Sequence, residues 1–444
     1  MCHFPAKWLL LILCVTWGIH LSAQTGTSST STNSSNPLSG RENNPYSKYG
    51  IGEFWNGNNT VLRGMGNITS AFENPYEVNS DNPASYSFLQ RTTFEAGMMA
   101  STRSIAASGG YHYTTGTASI AYLNLGIPVN KNSGLCLGFR PYTRSYYSLI
   151  DTITGSPIGT VARSYNGEGS LNYAYLGAAV KYKGLSVGFN AGYMFGTFHN
   201  SSLTIPIDDS PTNRAYIGDY TNFTRIGGIY WKGGLMYERK IDSDYTFRVG
   251  GTFTISQNIT ERLSAYQISN YNFGDTIVND TSSRLDNVRG ALRLPLSYSI
   301  GVMIVKNDKW GLGLDYTATQ WSTFNSTPDT SLKSGIGSSS YKISIGGEYT
   351  PNANNIRNYF SRVTYRLGFY YGNDYLNLNN NTLPYYGITA GTSLPFRRSL
   401  SKLHFSLDVG RLGTTANNLL QETYIRFTLG ISFNDRWFIP RKYD

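Results

Sequence analysis

The chain has 444 residues, 40% of them hydrophobic, and carries 37 basic against 27 acidic residues for a net charge of +10. That excess does not point to nucleic acid. Its basic residues, such as Arg225, Arg248, Arg362, Arg366 and Arg426, are scattered singly through strand-like stretches, with no basic run and no recognition helix.

From the N-terminus, Lys7 precedes an apolar run from Trp8 to Leu21, and Leu21-Ser22-Ala23 offers small residues before Gln24. This pattern predicts a cleaved signal peptide over residues 1–23. The run is shorter than the roughly 20 apolar residues of a spanning helix. Cys2 and Cys14 leave with the signal, so Cys136 remains alone and no internal disulfide is available. With no cysteine at the cleavage point, a lipid anchor is not expected.

Residues 24–42 are rich in Ser, Thr, Asn and Gly and read as a flexible segment. Residues 43–91 are punctuated by Gly and Pro too often for a long helix or strand, yet they hold Phe54, Val61, Leu62, Ile68, Phe72, Tyr86 and Phe88. Such a segment has something to pack. It is expected inside a barrel as a hatch over 43–91; the alternative is a periplasmic linker. The candidate hatch residues are Arg63, Gly64, Gly66, Asn82, Pro83 and Ala84. Arg63 is expected to reach a wall carboxylate, Glu168 or Glu348, because a buried charge must be paired.

From Thr92 onward the pattern has period two. Val187, Phe189, Ala191, Tyr193 and Phe195 share one face, with Ser186, Gly188, Asn190, Gly192 and Met194 between them. Val363, Tyr365, Leu367, Phe369 and Tyr371 repeat the pattern, as do Phe427, Leu429, Ile431 and Phe433. One face is greasy and the other small or polar. No helical period of useful length follows Thr92, which argues against Rossmann and TIM architectures. The totals of 35 tyrosines, 21 phenylalanines and 47 glycines are high for a soluble domain. A soluble sandwich or propeller would put more Lys and Glu on its polar face. Here that face is rich in glycine, which suits a lumen packed around an inserted segment. Tyr182, Trp231, Trp310 and Trp437 fit interfacial girdles near strand ends.

Short turns fall at 128–132, 183–184, 241–244, 306–308, 351–358 and 396–402. Longer polar connections fall at 208–221, 271–287, 325–337 and 373–382. Alternation of the two kinds is the split between periplasmic turns and extracellular loops. Fourteen strands result, near 92–104, 112–128, 134–157, 161–182, 185–206, 223–240, 245–270, 288–305, 310–324, 338–350, 359–372, 383–394, 403–412 and 423–434. The expected fold is therefore all-β: a transmembrane antiparallel barrel over 92–444 with an N-terminal hatch in its lumen, located in the outer membrane. In lipid the sheet must close.

No catalytic constellation emerges. Gly-x-Ser-x-Gly is missing, and His112, His199 and His404 are scattered without metal-site spacing. Asp208-Asp209 is a loop acid pair without an EF-hand pattern. No enzymatic activity, cofactor or metal is expected.

Four stretches carry a family likeness: NPYSKYGIG from Asn44 to Gly52, RGMGN from Arg63, NPAS from Asn82 and WFIPRKYD from Trp437. In these the chain resembles FadL-type outer membrane proteins, in the branch found in Bacteroidota, over residues 43–444. NPA before the first strand is the recurring hatch signature of that family; Ser85 stands where Gly often follows, a departure from the fatty-acid importers. The resemblance implies a 14-stranded barrel with a hatch and passive transport of a hydrophobic or lipid-like compound. It also implies an alternative, a plug or accessory subunit of a type IX secretion translocon. A general porin is the third reading. The partners expected are outer membrane lipids, a hydrophobic ligand or a secretion-complex component, and no nucleic acid.

Overall fold

The computed structural model describes residues 42–437, apart from 56, 157–158, 208–216, 274–275, 308 and 356. The signal peptide, nearly all of the flexible segment, the Asp208-Asp209 pair and the end of the last motif beyond Trp437 lie outside the described residues.

Fourteen strands form one closed antiparallel wall. They are β1 (Thr92–Ala106), β2 (His112–Asn130), β3 (Ser133–Ser156), β4 (Gly159–Tyr182), β5 (Leu185–Pro206) and β6 (Ile217–Lys240). β7 runs through Tyr245–Thr254 and Gln257–Phe273, and β8 through Thr276–Leu294 and Leu296–Lys306. β9 (Trp310–Gln320), β10 (Ser340–Tyr349), β11 (Thr364–Leu378), β12 (Asn381–Pro395), β13 (Lys402–Gly413) and β14 (Gln421–Asp435) complete it. The last strand closes on the first, from Asp435 opposite Thr92 to Gln421 opposite Ala106.

The alternation decides which way each side chain points. Ile229, Leu367, Leu176 and Met98 project outward and are 58–71% exposed, a face that only lipid can cover. Between them Met194, Ser344, Thr389 and Ser393 are wholly buried in the interior. Leu429 faces out and Thr428 in, as the period requires. Two expectations are corrected. Val363 is buried, because it follows a short 3₁₀ turn and precedes β11 rather than belonging to it. Trp231 lies within β6 opposite Ala191, against Phe189 and Phe253, not at a strand end.

The strands outrun the membrane. β3, β4 and β6 have 24 residues each, well beyond the roughly 9–11 that a tilted span needs. The stretches 271–287 and 373–382, read from sequence as loops, are largely strand and continue the ladders of β7, β8, β11 and β12. Outside lipid a strand no longer needs one apolar face, so the periodicity that marks it fades while the backbone pairing persists. β7 and β8 are both interrupted at one level, at 255–256 and at Pro295. There the side-chain amide of Gln257 accepts from the Trp231 N–H at 3.0 Å and donates to the Trp231 carbonyl at 2.9 Å, replacing one rung of the ladder.

One junction is incomplete. β2 and β3 pair only from Leu123 opposite Phe139 to Asn130 opposite Ser133, at the end with short turns. Above that level, of the wall strands, residues 112–122 pair with β1 alone and residues 143–156 with β4 alone. The wall is therefore unzipped toward its long-loop end.

Candidate functional site

Residues 42–91 fill the interior. They begin near the long-loop end, where the Tyr46 hydroxyl donates to the Leu420 carbonyl at 2.5 Å. They finish near the short-turn end, where Ser87 and Ala84 meet Ser186. Almost every side chain from Asn58 to Leu89 is buried.

The candidate residues take these places. Asn82 caps a 3₁₀ turn over Pro83–Phe88 by accepting from the Ala84 N–H at 3.1 Å, and its amide donates to the Ser70 and Leu235 carbonyls at 2.5 and 3.2 Å. Pro83 opens the turn, and Ala84 presents its carbonyl to the Ser186 hydroxyl at 2.7 Å. Gly66 has φ +67°, and its N–H donates to Thr389 Oγ1 at 2.7 Å. Gly64 lies so close to β12 that a Cβ there would stand 2.9 Å from the Gly391 Cα. Wall glycines make that approach feasible: a Cβ on Gly346 would lie 2.2 Å from the Met65 carbonyl oxygen.

Among the described residues Arg63 forms no ion pair with Glu168 or Glu348. It is buried on a one-turn helix, Thr60–Arg63, where its Nε donates to the Asn58 carbonyl at 3.0 Å and its Nη1 lies 3.0 Å from Met99 Sδ. Arg366 takes Glu348 at 3.0 Å instead. The charge pattern is the reverse of that expectation, since the interior segment supplies acids and the wall supplies cations. Arg103 binds Glu42 and Glu53 at 2.8 and 2.6 Å, together with Glu422 of β14. Arg426 also holds Glu53 at 2.5 Å. Arg140 and Lys232 converge on Asp81 at 2.9 and 3.3 Å. Arg248 meets Glu73, and Lys402 meets Glu77 at 3.2 Å. One wall acid works the other way: Asp315 accepts from the backbone N–H groups of Thr69 and Ser70 at 2.5 and 2.7 Å. Burial alone would push the Glu77 carboxyl up, but Lys402 and then Arg366 outweigh it and hold it at about 2. Burial likewise opposes ionisation of Asp81, but Lys232 and Arg140 hold its carboxyl well below the usual range.

The same segment covers the unzipped edge of β3. Glu53 and Phe54 pair with Arg144 and Thr143 as a short strand, and the N–H groups of Trp55 and Asn44 donate to the Tyr142 and Tyr146 carbonyls at 2.9 and 2.8 Å. Asn43 and Ser47 accept from the Ser148 and Tyr146 N–H groups. From Tyr142 to Ser148 the free edge thus finds partners within the barrel, as lipid demands. Across the gap Arg144 donates to Ser119 Oγ at 3.0 Å and lies over the Trp55 ring. A cavity of about 540 Å³ sits in the gap, bounded by Ser119, Ile120, Phe139, Pro141, Arg144 and Glu168 among others.

Beside it is an aromatic chamber of about 330 Å³. Phe54 is the hub, with Tyr142, Trp321 and Tyr375 each 5.4 Å away between ring centres. Trp321 stacks on Tyr375 at 4.5 Å, and Tyr142 leads to Tyr230 at 5.7 Å. Trp321 begins the connection between β9 and β10, which folds inward. Its Leu332 is buried, Ser326 bonds Glu261, and Asp329 accepts from Thr224. Sequence reading singled out Phe54 only as packing; the other rings come from distant strands.

His404 is buried with both ring nitrogens taken by Ser393 and Ser432, at 2.7 and 3.0 Å. His199 stacks on Phe223, and His112 is exposed at the start of β2. Among the described residues no three His, Cys, Asp or Glu side chains gather to hold a metal.

A family model described as BamG matches residues 6–444. No curated protein matches. Among solved structures the chain is similar to the Ralstonia pickettii toluene transporter TbuX, with 14% identity, a TM-score of 0.54 and coverage of 86% of this chain and 99% of that one. It is similar also to the Pseudomonas putida toluene transporter TodX, with 16% identity, a TM-score of 0.53 and coverage of 85% and 98%. A Pseudomonas aeruginosa FadL homologue gives 13%, 0.52, and 85% and 98%. At these identities the likeness is one of fold: the chain has the closed barrel fold of these structures.

Proposed function

We propose that this chain, which belongs to the BamG family, is a passive outer-membrane conduit for a hydrophobic compound, with residues 43–91 as its hatch. The observation that carries the reading is the aromatic chamber lying beside the unzipped β2–β3 junction. Rings offer an apolar molecule a resting place within the lumen. The junction offers a way out to the side, latched by Arg144, Ser119 and hatch residues 43–55. The solved structures of the same fold named as toluene transporters and hydrocarbon channels support the same substrate class.

Locking the junction tests the proposal. Ser119→Cys with Arg144→Cys, joined by a short bis-methanethiosulfonate, should abolish uptake of a labelled neutral hydrophobe by intact cells, and reduction should restore it. Undiminished uptake through the joined protein refutes a lateral route.

A second reading, a plugged accessory barrel of a protein-secretion assembly in the Bacteroidota manner, is favoured by the dense ion pairing of the hatch. Four hatch carboxylates, Glu53, Glu73, Glu77 and Asp81, meet wall cations, and breaking one buried pair costs about 3–5 kcal/mol. Copurification of a large translocon partner from native membranes, with uptake unaffected by loss of the chain, would select this reading.

A further inference from the structure

Among the described residues, the ionic lining of the aromatic chamber leaves one cation without an ion pair. Glu53 is held by Arg103 and Arg426. Asp81 takes both Arg140 and Lys232. The Asp374 carboxylate accepts from the Leu376 N–H at 3.2 Å. Lys342, on β10, lines the same cavity, yet it makes no ion pair and no hydrogen bond among the described residues. Asp315 on neighbouring β9, Asp81 and Asp408 act on it only through space; Asp315 accepts from the Thr69 and Ser70 N–H groups, Asp81 pairs with Arg140 and Lys232, and Asp408 accepts from the Tyr370 hydroxyl. A cation drawn partly out of water without a counter-ion is unfavourable. The chamber therefore offers two things at once: a wall of aromatic rings and a positive charge with no contact partner among the described residues, on a lining that also carries Lys232 and Arg140.

We infer that the chamber selects a flat aromatic anion. Its ring system lies against Phe54, Trp321 and Tyr375, and its carboxylate or sulfonate meets Lys342. The inference rests on the conduit reading and narrows its substrate class. Ring contacts suit a planar body, since offset and edge-on arrangements at 4.5–7 Å are the favourable ones. A volume of about 330 Å³ stands at the small end of ligand pockets, room for a compact bicyclic acid rather than a long chain.

Calorimetric titration of the detergent-solubilised protein, with empty micelles as blank, tests this with three probes: 2-naphthoate, its neutral counterpart 2-methylnaphthalene, and decanoate. 2-Naphthoate should bind most tightly. Lys342→Met should weaken 2-naphthoate about tenfold and leave 2-methylnaphthalene within about twofold, with compact migration in unheated SDS showing that the variant folds. Equal affinity of wild type and Lys342→Met for 2-naphthoate overturns the inference, as does decanoate binding as tightly as 2-naphthoate. If 2-methylnaphthalene binds and 2-naphthoate does not, the charge selection is wrong while the conduit reading stands. If neither aromatic binds, this inference falls, and uptake through the joined junction decides the conduit separately.

Discussion

Removing Arg103 should release the first part of the hatch while leaving the barrel whole. Its side chain is fully buried among three carboxylates: Glu53 on the hatch, Glu42 just before it, and Glu422 on β14. Arg103→Met leaves those acids facing one another, with Arg426 the cation still in contact with Glu53 and Arg144 farther off. Breaking a buried pair by deleting one partner costs about 3–5 kcal/mol, and at 1.36 kcal/mol per decade the undocked population rises by about two to nearly four decades. The loss falls on docking, because barrel closure rests on the backbone ladder between β1 and β14, which the substitution does not touch. Trypsin supplies the readout. Lys48, half-buried over the Tyr165 ring, should become cleavable, while the barrel still migrates compactly in unheated SDS. Glu422→Gln in the same chain should recover part of the protection, since it removes one of the stranded charges; the cycle of single and double variants measures their coupling. An Arg103→Met barrel that folds normally and resists cleavage at Lys48 as well as wild type would refute the reasoning.

Other outcomes follow from the same geometry. Glu77 is held at about 2, below its ordinary 4.5, so its contribution to hatch docking is full above about 4.5 and drains away as pH falls toward 2; conductance in planar bilayers should rise reversibly over that window, and a flat trace would count against the clamp. Leu429→Arg should cost about 2–4 kcal/mol near mid-membrane and impair assembly, whereas Thr428→Arg, facing the packed lumen, should loosen the hatch instead; equal assembly defects would contradict the facing. Gly346→Ala, whose methyl would collide with the Met65 carbonyl, should destabilise docking by about 1–3 kcal/mol, seen as faster proteolysis of the hatch. Deleting 43–91 behind the signal should leave an inserted but leaky barrel, and a deletion variant no more conductive than wild type would show that this segment does not block the lumen.

Strand number and facing were legible because lipid imposes a rule on every second residue. Leu367, Leu429 and Phe189 obey it regardless of their partners. Strand ends beyond the bilayer were not, since water accepts either face at 276–287 and 373–382. The unzipped β2–β3 junction left no mark either: residues 112–122 belong to an ordinary strand, and what is missing is a neighbour. Arg63 shows the limit for charges. Burial of a lone arginine in a Gly-rich segment suggested a carboxylate partner, but the choice of partner is a three-dimensional fact. The real pairs join residues such as Glu53 and Arg426, which no local spacing connects. The chamber was hidden for the same reason, because Phe54, Tyr142, Trp321 and Tyr375 come from four separate parts of the chain.

The position of the hatch also bears on the order of events during folding. Tyr46 bonds to Leu420 across 374 positions of chain, and Glu53 reaches Arg426 across 373. These contacts cannot exist until the last strand is in place, and that strand has no second neighbour until it finds the first. The wall must therefore curl around its own beginning, with the earliest-made residues waiting loosely inside and docking last. So high a contact order predicts slow, concerted closure, in which ordering of the interior reports the end of assembly rather than its start.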